Sequence, residues 1–127
     1  MSKINLGIIG GGQLGSMLSV AAKKLDIKTT VYCDDIDAPA QNFCDEFIFG
    51  EYNNRNIISE FVNKVDLITY EFENIPYETL NEMNKITAPL WWSAPKLTGT
   101  ILTKVIMPNK NCEQIIIDIN KEIFLIL

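Results

Sequence analysis

The sequence predicts an α/β fold, a parallel sheet with helices packed on both faces. Three observations carry that prediction. Short apolar runs rich in β-branched residues alternate with amphipathic stretches of helical length, the pattern that right-handed βαβ crossovers require. A cluster of glycines closes the first run and opens the first helical stretch. Finally, 127 residues that are 47% hydrophobic supply the core of one domain, within the usual domain size of roughly 100–200 residues.

Each element has its own signal. Residues 4–9 form a compact apolar run ending in glycine, read as the first strand. Over residues 13–25, Leu14, Met17, Leu18, Ala21, Ala22 and Leu25 recur at helical spacing, and Lys23 and Lys24 sit near the end, where cations suit the helix dipole. Lys28–Cys33 reads as a second strand through Thr29, Thr30 and Val31. Asp34, Asp35, Asp37 and Pro39 then break the chain into a loop, and Glu46–Phe49 gives a short third strand closed by Gly50. A helical face of Ile57, Ile58, Phe61 and Val62 spans residues 54–64, a fourth strand covers residues 65–70, and Pro76 suits the first turn of a further helix through Leu80 and Met83. Beyond Thr87 the pattern is less regular: Pro89, Pro95 and Pro108 punctuate it, residues 115–119 suit a buried strand, and the chain ends on an apolar run. The expected division is a Rossmann-like domain over residues 1–86 and a degenerate linker and tail over residues 87–127.

Composition narrows the chemistry. The chain has no histidine, which excludes Ser-His-Asp and Cys-His nucleophiles and His-ligated zinc. Its 11 Lys and Arg against 16 Asp and Glu give a net charge of −5, unlike nucleic-acid binders, whose affinity rests on clustered cations. Arg55 is the only arginine, so a phosphate would have to be held by backbone N–H groups or lysines. Cys33, Cys44 and Cys112 are odd in number and lack C-x-x-C spacing, as expected of reduced thiols in a cytoplasmic protein with no metal site. No signal peptide is expected, because Met1-Ser2-Lys3 leads directly into a short strand-like run broken by glycines, and no membrane-spanning stretch, because the C-terminal apolar runs are interrupted by Asp118, Lys121 and Glu122.

Gly10-Gly11-Gly12-Gln13-Leu14-Gly15 fits G-x-G-x-x-G directly between the first strand and the first helix. Gly10 allows a tight turn, Gly12 lets an anion approach the backbone, and Gly15 lets the helix pack closely on the strand. A purely structural tight turn is the competing reading. Asp34 and Asp35, at the end of the second strand, are where a dinucleotide's ribose diol would be held, though aspartates are also common in such loops. A second constellation follows the fourth strand, Tyr70-Glu71-Phe72-Glu73-Asn74-Ile75-Pro76. In open α/β sheets, ligands collect at the carboxyl ends of strands, so Glu71 and Glu73 are candidates to accept from sugar hydroxyls or an amine. Capping of the helix that follows is the alternative.

These residues resemble a known family. Residues 6–15, Ala21-Ala22-Lys23-Lys24-Leu25, Asp35-Ile36-Asp37-Ala38-Pro39-Ala40 and, most specifically, the Tyr-Glu-Phe-Glu-Asn run are similar to the N-terminal, pre-ATP-grasp domain of N5-carboxyaminoimidazole ribonucleotide synthetases. The resemblance implies an ATP-dependent ligase of de novo purine biosynthesis. It would activate bicarbonate with ATP and Mg2+, as carboxyphosphate, and carboxylate the exocyclic amine of 5-aminoimidazole ribonucleotide. It implies that Gly11, Gly12, Gln13 and Leu14 contact the ribonucleotide through the loop backbone and that Glu73 is the carboxylate nearest the substrate. It also places Lys104 where the family has an ATP-contacting arginine, whereas the family's following lysine falls at Pro108. Nucleotide and metal belong mainly to the family's ATP-grasp domains, which this sequence does not contain. The expectation is therefore a truncated or split ligase with no catalytic residue of its own, inactive alone, acting as a homodimer or with a separate ATP-grasp chain. The alternatives are an NAD(P)-binding domain of a dehydrogenase and a non-catalytic interaction remnant.

Overall fold

A computed structural model of the chain describes residues 4–70, 75–87, 92–93 and 105–106. Four parallel strands form the centre: β1 (Asn5–Ile9), β2 (Lys28–Cys33), β3 (Glu46–Phe49) and β4 (Leu67–Tyr70). Two short antiparallel strands, β5 (Trp92–Ser93) and β6 (Val105–Ile106), extend the sheet beyond β4, giving the order β3-β2-β1-β4-β6-β5. Three helices, α1 (Gln13–Lys24), α2 (Arg55–Lys64) and α3 (Tyr77–Thr87), and a short 3-10 turn at Pro39–Asn42 complete the described elements.

The alternation of side chains along each strand builds two cores. Leu6, Ile8, Val31, Cys33 and Leu67 face one side, where they pack with Leu18, Ala21 and Ala22 of α1 and with Ala38 and Ala40. Ile9, Tyr32, Ile48 and Ile68 face the other, against Ile58, Phe61 and Val62 of α2 and Met83 of α3. Both faces are thus covered, as expected of strands that read as continuous apolar runs.

Helix ends follow from local chemistry. The Asn54 side chain accepts from the N–H groups of Asn56 and Ile57 at 3.1 and 3.3 Å, capping α2. The end of α1 closes through Asp26 at φ 58°, with Ile27 N–H donating to Ala22 O and Asp26 N–H to Lys23 O, a Schellman closure. α3 starts at Tyr77 rather than Pro76, and the Pro76 carbonyl accepts from Thr79 and Leu80 instead.

At the amino ends of the strands the polar groups are satisfied internally. The Asp66 carboxylate accepts from Asn5 N–H at 2.8 Å, the Asn5 amide donates to Lys64 O and accepts from Thr30 Oγ1, and the Asp45 carboxylate accepts from Thr29 N–H at 2.8 Å. This end of the sheet is closed by its own side chains. Residues 71–74 and 115–119 and Lys104, which the sequence singled out, lie outside the described residues.

Candidate functional site

The opposite end of the sheet is built differently. β2 and β4 flank β1 on its two sides, so the chain's progress across the sheet reverses at β1, the kind of switch point beside whose carboxyl ends open α/β sheets bind ligands. Ile9 pairs in register with both Tyr32 and Tyr70, which brings the ends of the three strands level. The glycine loop starts one residue beyond Ile9.

Gly10 adopts φ 101°, a conformation that L side chains rarely reach, and its N–H donates to Tyr32 O at 2.8 Å. The chain thereby leaves β1 and turns into α1 within a few residues. Gly11 is buried, and a Cβ added to it would lie 2.6 Å from the Ala38 Cβ and 3.1 Å from the Cys33 Sγ. Gly12 is the N-cap of α1, half-exposed, and contributes no side chain to cap the helix. Its carbonyl accepts from both the N–H and the hydroxyl of Ser16 at 3.0 Å, while the Ser19 hydroxyl returns to Gly15 O at 2.8 Å. The serine hydroxyls of α1 are therefore turned back onto the helix.

Gln13 is exposed, whereas Leu14 packs its side chain on the α1-side core. What Gln13 and Leu14 share is a backbone N–H in the first helical turn, where no intrahelical acceptor exists and the helix dipole is positive. Such a helix start favours an anion. Glu71 and Glu73, the carboxylates expected at the end of β4, lie outside the described residues.

Beside the loop, Asp34 and Asp35 are both exposed. The Asp35 carboxylate accepts from Asp37 N–H at 2.9 Å and so closes its own turn. Asp34 lies near two tyrosines. Tyr32 is fully buried, donates its hydroxyl to Glu51 O and meets Tyr52 edge-on at 5.3 Å. Burial, with a smaller contribution from Asp34, pushes the Tyr32 phenol up to about 12. Burial, followed by hydrogen bonding with Cys33, also raises the Tyr52 phenol. The Tyr52 carbonyl in turn accepts from Thr79 Oγ1 at 2.6 Å, tying α3 to the loop after β3. Neither tyrosine is poised to act as a base near neutral pH.

Two features of this end were not read from the sequence. Ala38 and Ala40 wall the glycine loop, with Ala40 N–H donating to Gly11 O at 2.9 Å; the family-like stretch Asp35–Ala40 and the small residues flanking Pro39 are the signal, and neither specifies this contact. Thr69, beside Ile8 in register, has a fully buried hydroxyl with no hydrogen-bond partner among the described residues. Among the described residues no group of three or more His, Cys, Asp or Glu side chains gathers as metal ligands. Likewise no described helix is long and apolar enough to cross a membrane.

A parallel sheet with a glycine loop at its switch point places the protein in the Rossmann-like class. Within that class, the family profile "Ribonucleotide synthetase preATP-grasp domain" matches residues 1–98. The chain belongs to the ribonucleotide synthetase pre-ATP-grasp family. It is 45% identical over 76 residues to the N5-carboxyaminoimidazole ribonucleotide synthase of Bacillus subtilis, covering 60% of this chain and 20% of that one. It is 36% identical over 101 residues to the bifunctional purine synthesis protein purC/E of Dictyostelium discoideum, covering 80% of this chain and 10% of the relative. The solved N5-carboxyaminoimidazole synthetase of Staphylococcus aureus complexed with ADP superposes with a TM-score of 0.61 at 37% identity, over 66% of this chain and 23% of that one. The chain thus spans a quarter or less of the length of each of these proteins.

Proposed function

We propose that this chain is the ribonucleotide-binding domain of an ATP-dependent ligase that carboxylates 5-aminoimidazole ribonucleotide with bicarbonate in purine biosynthesis. The observation that carries the reading is one of position. The family match runs through both the glycine loop and the segment after β4, and Ile9 and Tyr70, the last residues of the two strands that these follow, pair in register.

In this reading the backbone N–H groups at Gly11, Gly12, Gln13 and Leu14 hold the ribonucleotide's phosphate or ribose, which suits a chain with a single arginine. Glu73, three residues beyond the end of β4, orients the substrate by accepting from its amine or hydroxyls. ATP and Mg2+ are engaged by ATP-grasp domains, with Lys104 as this chain's contribution to the nucleotide, and the domain acts in the cytoplasm together with those domains. Residues 1–86 form the substrate-side unit, and residues 87–127, which add β5 and β6 to its sheet, lead on from it. The dinucleotide alternative finds less support, because the family match over residues 1–98 is to a ribonucleotide synthetase domain.

Calorimetric titration of the purified chain separates the two. Saturable heat with 5-aminoimidazole ribonucleotide and none with NADH is expected. Saturable heat with NADH alone would replace this reading with the dehydrogenase one.

A further inference from the structure

The glycine loop does not stand by itself. The segment between β2 and β3 folds back over it and is internally rigid. Asp37 N–H donates to the Asp35 carboxylate at 2.9 Å, Ala38 N–H to Asp35 O, Gln41 N–H to Ala38 O, and both Phe43 and Cys44 N–H groups to Ala40 O at 3.0 Å. Ala38 and Ala40 are 3% and 0% exposed and belong to the α1-side core, so this segment cannot yield without opening that core. Two contacts join it to the loop. Ala40 N–H donates to Gly11 O, and the Ala38 methyl occupies the space in which a Gly11 side chain would stand, 2.6 Å from an added Cβ.

We propose that Ala38 is a positioning residue for substrate binding: its methyl group, packed on Gly11, sets where the backbone N–H groups of Gly12, Gln13 and Leu14 point. This inference rests on the functional reading above, and it adds a packing role to the backbone contact that reading gives Gly11. Gly11 lacks a side chain because Ala38 must come close, and the loop is held by packing before any ligand arrives. Preorganisation of this kind matters because a displacement of about 1 Å at a binding group costs on the order of a hundredfold in function.

The test is a double-mutant cycle in the full chain, with Gly11→Ala, Ala38→Gly and the two combined. The readouts are the amide resonances of Gly12, Gln13 and Leu14 and the affinity for 5-aminoimidazole ribonucleotide. Gly11→Ala is expected to displace those resonances and weaken binding about tenfold or more, since the added methyl must push the loop. The double variant removes the opposing methyl, leaving the Cys33 thiol to shift by a few tenths of an ångström, and should restore the resonances and most of the affinity. A double variant as impaired as Gly11→Ala overturns the proposal, as does a Gly11→Ala chain with unshifted amides. Should Gly11→Ala fail to fold, Ala38→Gly alone decides: it must accelerate hydrogen exchange at Gln13 and Leu14, and unchanged exchange overturns the idea. If the unaltered chain takes up no ribonucleotide, the functional reading fails, and the amide resonances still decide the positioning claim.

Discussion

Tyr32 shows how one residue links the core to the rim of the candidate site. Its ring fills the α2-side core against Phe61 at 5.4 Å, and its hydroxyl reaches Glu51 O beside the carboxyl end of β2. Its phenol is raised from the ordinary value of 10.0 to about 12, first by burial and then by Asp34. In the unfolded chain the phenol ionises near 10. Between these values the folded state holds a proton that the unfolded state has lost. Tyr32's contribution is therefore complete below pH about 10 and disappears as pH rises toward about 12. Chemical denaturation followed across alkaline pH should show stability falling in that window, and Tyr32→Phe should flatten the fall.

Thr69 makes a contrasting case. Its buried hydroxyl has no partner among the described residues, and a buried hydroxyl left unpaired costs about 1–3 kcal/mol. Thr69→Val, which keeps the shape and removes the hydroxyl, should leave the melting temperature unchanged or raise it. A marked drop would show that the hydroxyl is bonded in solution.

Among the elements, those with dense local signals were legible. β2 and β3 have the bounds expected from their β-branched and aromatic residues and from the turn residues after them. β4 is shorter than expected. Val65 caps α2 and packs with its core, and Asp66 is turned to the Asn5 N–H, so the strand begins only at Leu67. β5 and β6 escaped the sequence reading because each pairs over only two residues, with partners far along the chain, and no local periodicity marks so short a strand. The turn at Pro39–Asn42 was read as loop for a similar reason: its bond to Gly11 O is a tertiary one. In the candidate site, the glycine motif announced Gly10 and Gly12 by spacing, whereas the buttress at Ala38 is invisible without knowing what packs on Gly11. The start of α2 offers a direct check at this scale. Asn54→Ala removes the acceptor of two N–H groups and should cost about 1 kcal/mol by denaturant midpoint, with ribonucleotide affinity unchanged.

For the whole molecule, the two ends of the sheet are built differently, and the proposed function uses only one of them. Carboxylates and amides close the amino end, where Asp66, Asn5, Thr30, Asp45 and Thr29 satisfy one another and the neighbouring backbone. The carboxyl end is where Gly10 reverses the chain and α1 presents its first turn. Asp66→Ala should therefore lower stability by about 1–3 kcal/mol, through an unpaired Asn5 N–H, while calorimetric affinity for the ribonucleotide stays within about twofold, because sites that far apart act independently. Ligand-dependent change confined to the carboxyl end is what membership of the ribonucleotide synthetase pre-ATP-grasp family leads one to expect.

The most direct test of that central claim is a titration of the isotope-labelled chain with 5-aminoimidazole ribonucleotide, followed through its backbone amide resonances. The account predicts saturable shifts centred on Gly11, Gly12, Gln13 and Leu14, with none at Asn5, Thr29 or Asp66. Shifts that avoid the glycine loop, or a loop that responds to NADH and not to the ribonucleotide, would contradict it.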